Sequence, residues 1–300
     1  QFDSQLDEKL SLTTGLRLER RNSDYSGAEM LEFSPSDSMV GGKVVLSYQM
    51  DKNNLFYGSI NRGYKAGGAN TEGTLPANLR EFSPEYLWNY EVGYKVNLLD
   101  NQAYVRSALF YMDRDDMQVR TSSLELREDG STDFVSYLGN AATGTNIGVE
   151  LEAGWQLTPE LEIYGALGLL DTEYNGFIDA DGNDKSGDEQ AHAPSYQFNI
   201  GLNYQLSDHL LLNVSVDGKD EFLFSDTHQE KSEAIEVVNL SLSYTKDDWQ
   251  VKVWARNLFD ETYATRGFYF GNDPRDEYTA KAYYQLAEPA VFGATFDYNF

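Results

Sequence analysis

The sequence has no cysteine, only three histidines in 300 residues, and 23 basic side chains against 49 acidic ones. Without cysteine there is neither a disulfide framework nor a thiolate metal site, and redox chemistry does not report the compartment. The formal net charge of −26 argues against a nucleic-acid partner, because a phosphate backbone demands a basic face. Cationic partners or bridging divalent ions suit it better. No run of eighteen apolar residues occurs and the mean hydropathy is −0.53, which closes the option of a bundle of transmembrane helices. A membrane barrel stays open, since only alternate residues of a membrane strand face lipid. The first residues, QFDSQLDEKL, are polar and hold no signal-peptide core. Either a leader has been removed or the chain begins inside a longer protein.

Catalytic motifs are also missing. His192, His209 and His228 fall in separate connections, and no nucleophile-elbow serine occurs. No catalytic residue is assigned and no enzyme is expected; a barrel phospholipase is the nearest enzymatic alternative. The acidic run DADGNDKSGDE (179–189) begins with calcium-loop spacing at Asp179, Asp181 and Asn183. Asp184 then stands where that loop needs glycine, and Gln190 where it needs glutamate. It reads as a solvated acidic loop, and neither a metal nor a cofactor is assigned.

Aromatics are abundant: 21 Tyr, 16 Phe and 4 Trp. Twelve segments alternate at period two, the pattern of strands: 8–20, 38–50, 54–64, 84–98, 101–115, 143–157, 160–173, 194–206, 209–221, 234–246, 248–257 and 288–300. Their connections also alternate. Tight turns such as MDKNN, LLDN, LTPE, LSDH and TKDD separate polar excursions over 22–37, 65–83, 116–142, 174–193, 222–233 and 258–287. Short turns at one end of a sheet and long loops at the other fit a bacterial outer-membrane barrel. Aromatics fall near both ends: Tyr48, Phe56, Tyr57, Trp155, Tyr204, Tyr244 and Trp249 by the turns, and Tyr64, Trp88, Tyr111, Tyr174, Tyr196 and Tyr263 by the loops. Two interfacial girdles are implied. Leu202, Val214, Leu242 and Phe296 are expected to face lipid, with Asn203, Ser215, Ser241 and Asp297 facing the lumen.

The chain closes on AVFGATFDYNF, in which Phe292, Phe296, Tyr298 and Phe300 share one parity. A terminal Phe on an aromatic strand resembles the carboxy-terminal assembly signal of outer-membrane proteins. The stretch ARNLFDETY (255–263) resembles the penultimate-strand element of TonB-dependent outer-membrane receptors. LFYGSINRGYKAGGAN (55–70), FSPEYLWNYEVGYKVNLLDN (82–101) and APSYQFNIGLNYQL (193–206) agree with it in order.

That resemblance implies an all-β, antiparallel transmembrane β-barrel. Such receptors have about 22 strands, so the twelve segments read as the C-terminal portion of the wall across 1–300, with no plug domain in this sequence. It further implies a receptor taking up a scarce nutrient, a ferric siderophore or similar iron chelate, in the outer membrane of a Gram-negative bacterium. The implied partners are outer-membrane lipid and lipopolysaccharide, the nutrient ligand, and, through sequence not present here, an N-terminal plug and an inner-membrane energy-coupling protein. The alternatives are a passive, porin-like closed barrel of twelve strands and a soluble carbohydrate-binding sandwich. For an anionic ligand the candidate contacts are Arg62, Tyr64 and Lys65 at the end of the third segment, and Trp254, Arg256, Arg266, Tyr269 and Arg275 around the last long loop.

Overall fold

The computed structural model describes residues 1–299 except 27–31, 72–74, 76–78, 127–131, 180–181 and 227. Thirteen strands form one antiparallel sheet in chain order, each hydrogen-bonded to the next. They are β1 (Phe2–Gln5), β2 (Leu10–Asn22), β3 (Ser36–Asp51), β4 (Asn54–Lys65), β5 (Glu85–Leu98), β6 (Ala103–Leu126), β7 (Thr132–Thr158), β8 (Leu161–Phe177), β9 (Tyr196–Ser207), β10 (Leu210–Lys219), β11 (Ile235–Lys246), β12 (Trp249–Arg256) and β13 (Val291–Tyr298). Twelve of them are the alternating segments. The short β1 is an addition, held by four residue pairs to β2.

Register sorts the side chains. Leu98, Ala103, Trp155, Ile163, Leu202, Val214, Leu240, Ala255 and Phe292 stand opposite one another across β5 to β13. One residue along, Gln156, Glu162, Asn203, Asn213, Ser241 and Trp254 form a polar row on the other face. Asn213 donates to Asn203, and Asn203 to Glu162, each at 2.9 Å. Directly paired residues of an antiparallel ladder share a face, so the expected apolar and polar sets lie on opposite sides. The polar side is concave, because residues as far apart in the sheet as Tyr57 of β4 and Arg256 of β12 line one cavity.

On the concave face, glycines make room for rings. Tyr57 lies over Gly93 and Trp254 over Gly293 so closely that a Cβ on either glycine would come within 2.2 Å of a ring atom. A bare backbone lets a flat ring cover the neighbouring strand. The same parity corrects part of the girdle assignment. Phe56 and Tyr57 are consecutive, so both cannot face out; Tyr57 faces the lumen and donates to Glu91 at 2.7 Å. Tyr263 also lines the concave cavity, and Tyr174 is buried among Met117, Val119, Ala142 and Phe177.

That small core marks a second difference. The expected loop over 116–142 is largely strand: β6 and β7 stay paired well beyond Arg114, after a register shift between Arg114 and Met117. Asp116 sits in the left-handed region, at φ 54°. An extra residue there re-aims the strand, turning Met117 and Val119 onto Tyr174 and Phe177. The last excursion likewise holds a hairpin, Ala264–Phe270 paired with Lys281–Leu286.

The ladder does not close within this chain. β1 and β13 are the two edges of the sheet, each with a single neighbour. The closed twelve-stranded barrel needs a ladder between the first and last segments, and among the described residues none exists.

Candidate functional site

The ends of the last long loop are fastened by the Asn-Leu-Phe-Asp element. Asn257 leaves β12 at φ 49°, a left-handed conformation that asparagine tolerates. The residue is 4% exposed. The amide donates to the carbonyls of Glu261 (2.8 Å) and Glu288 (3.2 Å), its oxygen accepts from the Glu261 N–H (2.9 Å), and its own N–H donates to Asn239 (3.1 Å). Asp260 accepts from the Ala290 N–H at 2.8 Å, just before β13. One motif thus joins the exit of β12 to the start of β13 and sets where the intervening hairpin hangs. Strand and loop stay in register because these buried polar groups find partners only in this arrangement.

Below this junction lies a concave cavity of about 930 Å3, lined by Lys95, Arg106, Lys219 and Arg256 together with Glu150, Glu152, Asp217 and Glu288. Each of the four cations lies over an aromatic ring: Lys95 over Tyr57 at 5.5 Å, Arg106 over Tyr104 at 4.9 Å, Lys219 over Phe222 at 4.6 Å and Arg256 over Trp254 at 5.1 Å from the ring centroid. A ring face attracts a cation without neutralising it, and because four carboxylates stand among the four cations, an anion meets individual donors there and not a net positive field. Arg256 is additionally paired with Glu288 at 3.1 Å.

Loops gather above the cavity around an aromatic cluster. Phe222 and Phe224 meet edge to face at 5.5 Å, His192 lies 5.4 Å from Phe222, and Tyr284 of the hairpin lies 5.9 Å from Phe224. Gly267 is covered by the Phe224 ring. His228 lies 6.2 Å from Tyr269, and its Nδ1 accepts from the Glu230 N–H at 3.2 Å. Burial lowers the His228 pKa, with Glu230 acting the other way. The Glu230 carboxylate accepts from the Tyr284 hydroxyl at 2.6 Å, which raises the tyrosine's pKa.

The eight sequence-derived candidates therefore separate. Trp254 and Arg256 are together on the concave wall. Tyr269 and Arg266 ride on the hairpin, Tyr269 against His228 and Arg266 exposed. Arg275 closes a local pair with Asp273 at 2.8 Å, far out on the loop, and holds that carboxyl below its usual range. Tyr64 donates to Glu19, which also pairs with Arg17. Lys65 stands opposite Glu85. Arg62 lies opposite Trp88, two residues on from Ile60, and so falls on the apolar face instead of the lumen. Lys95, Arg106 and Lys219 were not singled out from the sequence. Their signal is parity: Lys95 and Arg106 each sit one residue from an outward apolar or aromatic position, and Lys219 continues the inward parity of Asp217. Phe292, Phe296 and Tyr298 pair with Ala255, Val251 and Trp249 on the outward face, while Phe300 lies outside the described residues. In the acidic loop, Asn183 is bonded to Asp179 at 2.8 Å through its N–H, Asp181 lies outside the described residues, and no metal-binding cluster of acidic, histidine or cysteine side chains occurs among those described.

A family model described as TonB dependent receptor-like, beta-barrel, matches residues 1–258. The pesticin receptor of Yersinia pestis is 24% identical over 243 residues, which is 79% of this chain and 34% of that protein. The pesticin receptor of Yersinia enterocolitica matches to the same extent. Among solved structures, the ferric yersiniabactin uptake receptor of Yersinia pestis superposes with a TM-score of 0.79 at 20% identity, over 99% of this chain and 44% of that one. The siderophore receptor PiuA of Acinetobacter baumannii gives 0.72 at 18% identity, over 96% and 41%. This chain spans about a third of the length of the curated relatives it matches, 34%.

Proposed function

The chain belongs to the TonB-dependent receptor β-barrel family, and from that premise we propose that it is the C-terminal wall of an outer-membrane receptor for an anionic iron chelate of the ferric siderophore class. The supporting observation is the ring of cations on aromatics around the concave cavity, Lys95, Arg106, Lys219 and Arg256. A chelate carrying negative charge and flat ligand groups meets guanidinium and ammonium donors there beside rings that lose little entropy on binding. Fold alone would not choose this ligand; the names of the similar proteins, ferric yersiniabactin uptake receptor and siderophore receptor, give the same direction.

In this reading, strands outside the chain complete the wall, since the β1 and β13 edges carry backbone groups that hydrocarbon does not tolerate unpaired. A plug and an energy-coupling protein act through that further sequence. Trp254 and Arg256 contact the ligand from the wall, and Tyr269 and Arg266 from the hairpin above it. The test is binding of defined ferric siderophores to the full receptor, with growth of a deletion strain on the same iron sources. Arg256→Ala together with Arg106→Ala is expected to weaken binding at least tenfold, the effect of losing one charge-assisted contact or more. Undiminished binding by that double variant, or growth of the deletion strain on every iron source at the wild-type rate, contradicts it.

A further inference from the structure

Gln190 follows the acidic run and stands where a calcium loop needs glutamate. The structure gives it a different place. It is 6% exposed, although it lies in a connection outside the thirteen strands. Its side-chain amide donates to the Glu173 carbonyl and to the Asn146 side-chain oxygen, each at 3.2 Å. Its side-chain oxygen accepts from Arg114 at 3.2 Å, and its own N–H donates to the Thr172 hydroxyl at 3.1 Å. Gly144 makes the room, since a Cβ there would stand 2.7 Å from the Gln190 amide nitrogen. Arg114 is itself held by Glu85, which is 7% exposed, at 3.1 Å. Gln190 is therefore anchored to β6, β7 and β8 at once, where its buried polar groups are all partnered.

The next two residues carry that anchorage to the neighbouring loop. The Ala191 N–H donates to the Asp226 carboxylate at 3.1 Å, and the same oxygen accepts from the Tyr174 hydroxyl at 2.6 Å. The His192 N–H donates to the Leu223 carbonyl at 2.9 Å, and the His192 ring lies against Phe222. His192 holds φ 58°, a left-handed conformation uncommon outside glycine, so the turn that aims these two N–H groups is fixed by its surroundings. Phe222 in turn lies under the Lys219 ammonium. Lys219 makes no ion pair among the described residues, and the rings of Phe222 and, at 6.0 Å, Tyr263 set its direction. A chain of contacts thus runs from the buried Arg114–Glu85 pair to an ammonium in the cavity.

We propose that Gln190 is a positioning residue for the cavity: seated among the strands, it fixes the strip 190–192, which fixes the loop carrying Phe222, Leu223 and Asp226 and so the place of the Lys219 ammonium. The inference rests on reading the cavity as the chelate site. Gln190 does not line that cavity; it acts through Phe222 and Lys219. The physical gain is pre-organisation. A flexible four-carbon stem loses rotamer freedom when a ligand immobilises it, and a stem already held against a fixed ring has lost that freedom beforehand.

The experiment uses the full receptor in mild detergent, titrated with ferric hydroxamate, catecholate and phenolate chelates, and the variants are compared on the chelate that wild type binds most tightly. Lys219→Met should weaken binding about tenfold, the scale of one charge-assisted contact. Gln190→Ala should weaken it about fivefold, the scale of one side chain's lost pre-organisation. The double variant should bind no more weakly than Lys219→Met, because no ammonium is left to place; independent structural damage would multiply to about fiftyfold. Hydrogen-exchange protection from Phe222 to Asp226 should fall in Gln190→Ala, whereas Asn183→Ala, in the same connection but outside the strip, should change neither protection nor affinity. If Gln190→Ala fails to assemble, Asp226→Ala takes its place in the cycle. Wild-type affinity in the Gln190 or Asp226 variant, or multiplying losses in the double variant, overturns the positioning role. Wild type that binds none of the chelates overturns the chelate reading instead, and the role at the cavity with it, whatever the exchange of the loop.

Discussion

His228 shows how much a single residue in the loops can control. Its Nδ1 accepts a hydrogen bond, so the docked form requires the neutral ring, and burial holds its pKa below the ordinary 6.5. A released loop takes up a proton more readily than the docked one. The stability of docking is therefore complete above about pH 6.5 and falls as pH drops below it. Measured against the intrinsic rate at each pH, the hydrogen-exchange protection of residues 228–232 and of the hairpin should fall between pH 7.5 and 5, and His228→Gln should flatten that dependence. Identical profiles for the two proteins would remove His228 as the cause. Asn257 makes a complementary case. Four hydrogen bonds meet at its backbone and side chain, so Asn257→Leu should cost roughly 2–4 kcal/mol from unpaired buried groups and an unfavourable φ. The drop is measurable as a lower urea midpoint of the refolded receptor, and a change under about 0.5 kcal/mol would show that the fastening is not needed. Asn-Leu-Phe-Asp was recognisable in the sequence as a family element, but its bonds to residues about thirty positions away were not.

Strand identity was legible because a membrane strand repeats one instruction, apolar out and polar in, over ten or more residues. That is why β2 to β13 fall where alternation placed them. The exceptions have physical causes. β1 is four residues long, too short to display a period. The extension of β6 and β7 changes phase at Asp116, so its alternation no longer continues that of residues 103–115. Arg62 was misplaced for a related reason: position at the end of a strand says nothing about face until the register is known. The alternation itself gives a sharp test. Leu242 pairs with Leu212 and Val253, whereas Ser241 pairs with Asn213 and Trp254. Leu242→Arg should cost about 2–4 kcal/mol in folding into bilayers, and Ser241→Arg close to nothing. Equal costs would show that this face does not meet hydrocarbon. Gly293→Val should displace the Trp254 ring at a cost of about 1–3 kcal/mol, visible as a shift in tryptophan emission; unchanged emission would argue against the stacked arrangement.

At the scale of the molecule, one sheet carries two chemistries back to back. Its convex side is apolar, flanked by rings, with Phe292 and Phe296 exposed at 67% and 66%. Its concave side holds cations on rings among carboxylates, under loops fastened by an aromatic cluster. The cation ring was the least legible part of the candidate site, because Lys95, Arg106, Lys219 and Arg256 come from four different strands and meet only when the sheet curves. The central claim is that this sheet spans a membrane as a receptor wall, and this chain, having no cysteine, adds no competing site to a single introduced label. Nitroxide labels placed one at a time from Val237 to Tyr244 in the reconstituted receptor would report collisions with oxygen, which partitions into lipid, and with a water-soluble nickel chelate. Oxygen access should peak at Val238, Leu240, Leu242 and Tyr244 and fall at Val237, Asn239, Ser241 and Ser243. No alternation, or the opposite phase, would contradict the account.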